Sequence, residues 1–259
     1  MSLYLVTYKP LCGTADGREA IRRYGHAPFV DASCRREPDL EAEPASISAL
    51  CRAWAFAPRL REGDVAVYLT KLGKYPGMST AAWRLVAVLQ VMKRCESHEE
   101  AADWYARRNL PLPSDCLVVG NDPLPLDHTS EWNRELRDWD VGYQARVDKY
   151  PTFLICKKLY VELSQPKTVT RADLEEVFGR IPATRTPAVQ NPNEVRKLLA
   201  GLGIGVSIED SGGLAASLAG YPITAGPREP SARAARERTR SPPGCVPPLA
   251  PRKPPQGGC

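Results

Sequence analysis

The sequence predicts an α+β fold: a small barrel of buried strands with flanking helices, followed by a disordered tail. Three observations carry this expectation. First, Val65–Thr70 and Trp83–Lys93 are strongly apolar, β-branched runs on either side of a segment holding Gly73, Pro76 and Gly77. That is the pattern of two buried strands joined by a loop. Second, Val86 and Val88 fall among the residues that should face away from Leu85, Ala87, Leu89 and Val91, yet they are apolar too. Both faces of that strand should therefore be covered, as in a small closed barrel. Third, from Ala225 onward nine of 35 residues are proline and almost none is large and apolar. Such a segment cannot bury enough surface to offset its chain entropy and is expected to be disordered.

In chain order, Leu3–Tyr8 reads as a first strand, closed by Lys9-Pro10. Thr14 or Asp16 can cap a short helix carrying Ala20, Ile21 and Tyr24, ended by Gly25. Pro28–Asp31 reads as a short strand, and Ile47–Arg52 is ambiguous between strand and helix. Gly63-Asp64 supplies the turn into the central strand pair. Ser97-His-Glu-Glu100 is a capping box, with the Glu100 carboxylate expected to return to the Ser97 amide. Cys116–Val119 reads as a short strand, and Gly120–His128 as a Pro-rich loop. Thr129 or Ser130 then caps a helix whose stripe is Trp132, Leu136, Trp139, Tyr143 and Val147. Tyr150–Leu163 is a long strand or a bent pair. Thr170 caps a helix ended by Gly179, Ile181–Pro192 is an extended linker, and Asn193 caps a last helix. The Gly-rich stretch Ile204–Tyr221 carries no assignment.

The organisation is a body over residues 1–224, with a core over about 1–165 and a helical extension over 166–224, and then the tail, 225–259. The net charge of +5 sits on that tail, which holds seven basic and two acidic residues and leaves 28 of each sign in the body. A neutral body argues against broad, nonspecific duplex binding and allows recognition of a single nucleotide or a short strand. Eight cysteines are scattered without a C-x-x-C pair or a disulfide framework, as expected of reduced thiols. Leu3–Val6 is too short for the apolar core of a signal peptide and lacks a basic lead, and no run is long enough for a membrane span. The expected location is cytoplasmic, with no membrane partner.

The densest chemistry is Asp31-Ala-Ser-Cys-Arg-Arg36. Ser33, Arg35 and Arg36 can hold a phosphate, because arginine bonds phosphate oxygens in bidentate fashion. A solvated charged loop is the plain alternative. Lys71 stands at the end of the central strand, where a cation can meet a phosphate or be simply exposed. Asn121 and His128 flank the Pro-rich loop before a helix start and can read a base edge. There Asp127 and Thr129 also serve as plain caps. Tyr8, Tyr68 and Trp83 can stack on a base. Trp54 shares that capacity, whereas Trp104, Trp132 and Trp139 sit on helical stripes that read as core. His26, Cys12, Cys34 and Cys51 match no zinc spacing, and the chain has no P-loop, G-x-G-x-x-G or G-x-S-x-G. No metal and no cofactor is expected.

The order Cys51-Arg52, Gly63-Asp64-Val65, Leu85-Val86-Ala87-Val88 and a Glu100–Tyr105 helix ending in Trp104-Tyr105 resembles the PUA-like group of small barrels. That group includes ASCH, EVE and YTH domains and the nucleotide-modification-associated domains. The resemblance covers roughly residues 1–130. It implies a module that binds a nucleotide or a modified base in DNA or RNA, travelling with base-modification or defence systems and their enzymes. It also implies an aromatic cage, although no tryptophan here falls where that cage can be matched. The expected nucleotide-binding set is Tyr8, Ser33, Arg35, Arg36, Tyr68, Lys71, Trp83, Asn121 and His128. An enzyme using the Asp31–Arg36 loop with Lys71 and His128 is one alternative. A non-catalytic scaffold with a basic tail is the other.

Overall fold

The computed structural model describes residues 1–123, 142–184 and 186–224. The expected tail, and the helix start carrying Trp132, Leu136 and Trp139, lie outside the described residues. Among the described residues seven strands form one sheet: β1 (Leu3–Tyr8), β2 (Ala45–Ser48), β3 (Val65–Thr70), β4 (Trp83–Cys95), β5 (Phe153–Val161), β6 (Lys167–Val169) and β7 (Val189–Gln190). Their order is β2-β5-β4-β3-β1-β7, with β6 also on β4. β1 and β3 are parallel, in register from Leu3↔Val65 to Tyr8↔Thr70. The other pairings are antiparallel. β5 pairs with Ala87–Cys95 and β6 with Trp83–Leu85, so together they extend along one edge of the long β4.

The mixed α+β class is as the sequence predicts, but the closed barrel is not: the sheet is open. β2 and β7 are its edges, and no pairing joins them among the described residues. Both edges are short and carry prolines. Pro44 precedes β2, and Pro187 and Pro192 bracket the two-residue β7, so neither offers a run of free N–H groups for closure.

The prediction that β4 is covered on both faces holds, since Leu85 to Leu89 are all fully buried. Register shifts against β3 near Tyr68/Leu69, and against β5 near Val88/Leu89 and Val91/Lys93, bend the strand. On one face Tyr4, Val6, Tyr8, Ala66, Tyr68, Ala87 and Leu89 pack beneath the long segment between α1 and β3, with Phe29, Leu40, Phe56 and Leu60. On the other face Leu3, Leu5, Val65, Val67, Leu85 and Val88 pack against Leu174, Val195, Leu198 and Leu199. The segment expected as a helical extension thus covers a sheet face and also supplies β6 and β7.

Helix starts follow their predicted caps. In α1 (Ala15–Tyr24) the Gly17 amide donates to Thr14 Oγ1 (2.8 Å), and Gly25 ends the helix at φ 70°. In α2 (His98–Ala106) the Glu100 amide donates to Ser97 Oγ at 3.1 Å. The returning bond differs from expectation: the Glu100 carboxylate accepts from the Glu96 amide at 2.9 Å and from Lys93 Nζ at 2.8 Å. Residues 142–149 form α3, with Tyr143 and Val147 buried. α4 (Arg171–Phe178) has a complete capping box between Thr170 and Asp173. α5 (Pro192–Gly201) is capped by Asn191 rather than Asn193, because Pro192 takes the first helical turn, where its missing N–H costs nothing. The unassigned Gly-rich stretch contains α6 (Ser211–Ala219). It is tethered by Gln90, whose side chain donates to Glu209 O (2.7 Å) and accepts from the Glu209 amide (3.0 Å). Pro28–Asp31 and Cys116–Val119 are not strands. Only a single bridge, Pro10↔Asp31, touches the first. The ambiguous Ile47–Arg52 finishes β2 and then turns.

Candidate functional site

The segment from Asp31 to Arg52 lies over the face of the sheet that carries Tyr8 and Tyr68. It begins beside the end of β1, where the Ala32 amide donates to Lys9 O at 2.9 Å. Instead of forming a solvated loop, Asp31 and Cys34 to Leu40 are buried. Burial of so many polar groups demands partners, and most have them. The Asp31 carboxylate accepts from the Ser33 amide at 2.8 Å and from the Ser33 hydroxyl. Arg35 donates to Ser114 O at 3.3 Å and to Asn121 O at 2.7 Å. The Asp39 carboxylate takes the Ser114 amide and hydroxyl, both at 2.8 Å, and the Glu41 and Ala42 amides. Arg35 and Asp39 therefore stitch this segment to residues 114–121.

Arg36 is different. It is 1 % exposed, and Nη1 donates to Asp31 O at 2.8 Å and, at 3.4 Å, to Ser33 O. Its Nε and Nη2 groups are buried with no hydrogen-bond partner among the described residues. Burial lowers its pKa, opposed by Asp31, Glu41 and Asp39. Its backbone is left-handed, at φ 43°, a conformation that costs a non-glycine residue free energy and collects at functional sites.

Glu37 follows, 3 % exposed, with Oε2 accepting from the Cys51 amide at 3.2 Å. Burial pushes its carboxyl from 4.5 up to about 7, with Arg52 pulling the other way. Beside it lies the Tyr68 hydroxyl, buried and without a hydrogen-bond partner among the described residues. Desolvation raises the Tyr68 pKa well above its ordinary value, and the Glu37 charge adds to this. Asp115 extends this polar seam. Its Oδ1 accepts from Ser46 Oγ at 2.6 Å, while Oδ2 and the neighbouring Ser48 hydroxyl lack a well-formed bond among the described residues. Burial holds the Asp115 carboxyl well above the usual carboxylate range. Ala53, directly after Arg52, is a second non-glycine residue with positive φ, at 45°.

The expected binding set does not converge. Tyr8 is buried in the core, its hydroxyl donating to Phe29 O and its ring edge-on to Tyr68 with centroids 6.1 Å apart. Trp83 packs on the opposite face of the sheet, in the core with Val169 and Leu174. Ser33 is taken by its turn with Asp31. Asn121 commits both side-chain N–H groups, to Pro113 O at 2.8 Å and Cys116 O at 2.7 Å. Lys71 is exposed at the end of β3. His128 lies outside the described residues. The Arg36 guanidinium lies with Asp31, Asp39 and Glu41, while the structure brings Tyr68 together with Glu37, Arg52 and Asp115, the last beside Ser46 and Ser48, residues that sequence reasoning did not single out. Their signal is weak, because a buried acid between Arg36 and Pro38 looks like any other charge in a polar stretch.

Outside this seam, a cleft of about 270 Å³ is lined by Asp39, Glu41, Pro111, Leu112, Asn121 and Asp122. Its acidic lining disfavours a phosphate. No group of three or more His, Cys, Asp and Glu residues is placed to hold a metal ion among the described residues. No disulfide joins the six described cysteines, and no described helix is long and apolar enough to cross a membrane. No family model, curated protein or solved structure matches this chain.

Proposed function

We propose that this chain is a binding module for a nucleotide or modified base, working beside nucleic-acid modification or defence enzymes in the cytoplasm as its resemblance to PUA-like domains implies. The ligand is read by Arg36, by the next residue Glu37, and by the Tyr68 hydroxyl beside Glu37. One observation carries the proposal: Arg36 is buried in a left-handed backbone with Nε and Nη2 lacking hydrogen-bond partners among the described residues. Leaving such donors unsatisfied costs free energy, and a ligand that accepts from them recovers it. The guanidinium supplies donors in a fixed fork, the Glu37 carboxyl accepts or donates according to its protonation, and the Tyr68 hydroxyl does both. That combination suits the mixed donor and acceptor edge of a base.

The experiment is a binding titration with mononucleotides and short single strands carrying normal and modified bases. Arg36→Ala should weaken binding by about 10–100-fold, the worth of one hydrogen bond to a charged group. Arg36→Lys should rescue little, because an ammonium lacks the fork. Binding indifferent to Arg36→Ala, Glu37→Gln and Tyr68→Phe would remove the proposal and leave the scaffold alternative. A carboxyl near neutrality also favours an enzyme with Glu37 as general acid or base. In that case incubation with the bound nucleotide would release a product, and Glu37→Gln would stop it.

A further inference from the structure

The body has equal numbers of acidic and basic residues, but they are not evenly spread. Among the stretches without Asp or Glu are 2–15, 65–95, the longest, and 163–172. These stretches supply β1, β3, β4 and β6, which lie side by side. The ends of β1 and β3, the start of β4 and the short β6 meet at one end of the sheet. The Lys71 amide donates to Tyr8 O (2.8 Å), Gly73 bridges Ala82, and Lys167 is opposite Leu85. Lys9, Lys71, Lys74 and Lys167 therefore gather there, and Arg84 turns over the Phe29 ring beside them. Lys9, Lys71, Lys74 and Lys167 are exposed, and no ion pair to any of them occurs among the described residues. By contrast, Lys93 and Arg94, at the far end of β4, are paired with Glu100 and Glu96.

Acids flanking this end are occupied or set apart, and the Asp173 carboxylate is held by the Thr170 amide and hydroxyl. Glu162 accepts from the Ser164 and Gln165 amides (2.7 and 2.9 Å), and Asp31 holds Ser33. Asp16 sits in the first turn of α1. Adjacent strands are about 4.8 Å apart, so the cations from β1 to β6 extend over roughly 14 Å. In strand order they follow β1, β3, β4 and β6 in turn. One end of that series, Lys9, is where the Asp31–Glu37 segment begins.

We propose that this line of cations is the track for the phosphate backbone of a single-stranded nucleic acid, so that the loop site takes one nucleotide of a strand and not a free nucleotide. This rests on the base-binding reading above and adds the class of ligand. A linear polyanion matches a line of cations one strand apart, whereas a membrane surface would favour a wider basic face with apolar anchors.

The test uses the full chain and compares K9A/K74A/K167A with the unaltered protein, so that the basic tail contributes equally to both. The probes are a mixed 12-nucleotide single strand, its duplex, the matching mononucleotides, and vesicles containing phosphatidylserine. Each exposed lysine removed should lower the slope of log K against log salt by about 0.7, so the triple variant should lose about 2 in slope. Its affinity for the 12-mer at low salt should fall by about tenfold or more, while mononucleotide affinity stays within about twofold. Its melting temperature should not move, which reports that the fold is intact. Unchanged 12-mer affinity and slope would overturn the track, as would no 12-mer binding at all. A loss confined to the duplex or the vesicles would do the same. Arg36→Ala separates the two claims. If it leaves every probe unaffected while the triple variant loses the 12-mer, the track stands and the base pocket falls.

Discussion

Glu37→Gln should make the protein more stable at alkaline pH while removing its ligand contact. The carboxyl is fully enclosed and titrates near 7 in the fold against 4.5 ordinarily. Its folded pKa is raised, so between about pH 4.5 and 7 the unfolded chain releases this proton first. Stability therefore falls as pH climbs through that window, and the loss is complete above it. The difference between 4.5 and about 7 corresponds to about 3 kcal/mol as an upper bound. Glutamine carries no charge and escapes the loss, while its carbonyl can still accept from the Cys51 amide. Thermal unfolding followed by circular dichroism, in buffers of matched ionic strength from pH 4.5 to 8, reads the effect. Any pH-independent cost of the amide cancels when the gap between variant and parent is followed across pH. That gap should move in the variant's favour by about 1–3 kcal/mol, at about 2–4 °C per kcal/mol for a chain of this size. Parallel curves across the whole range would refute the claim that an enclosed carboxyl ionises reluctantly here, and with it the choice of Glu37 as a reader of the ligand.

Two further outcomes concern stability. His98 is fully buried, its Nδ1 accepts from the Leu117 amide at 2.9 Å, and burial lowers its pKa from 6.5 to about 4. The unfolded chain takes up this proton first, so stability should fall as pH drops from about 6.5 to about 4, by at most about 3 kcal/mol. His98→Asn should flatten that slope, and an unaltered acid limb in urea titrations would contradict the burial argument. Gln90→Leu removes both hydrogen bonds to the Glu209 backbone and should cost about 1–3 kcal/mol. Limited proteolysis should then cut near α6 sooner than elsewhere, and no change in the cutting pattern would show that α6 is held by other contacts.

The elements that sequence alone determined are those with local causes. β3 and β4 are continuous β-branched runs bounded by turn residues, so their pairing follows from pattern. Thr14, Ser97 and Thr170 cap helices because each side-chain oxygen meets an amide only three residues away. Arg36 and Tyr68 were also within reach, as an arginine in a charged cluster and an aromatic on the central strand. Only the tertiary structure decided what long-range packing controls. The sheet stays open because its edges are short and proline-marked, and composition does not show which strands become edges. Tyr8 and Trp83 are both aromatic residues near strand ends, yet the twisted sheet sends them into opposite cores. Glu37 stands out only once the 31–52 segment folds over Tyr68, because a carboxyl titrating near 7 is a property of enclosure, and enclosure is made by residues distant in the chain. The acid-free end of the sheet follows the same logic. The three stretches that build it are plain in the sequence, but the strand order that sets them side by side is not.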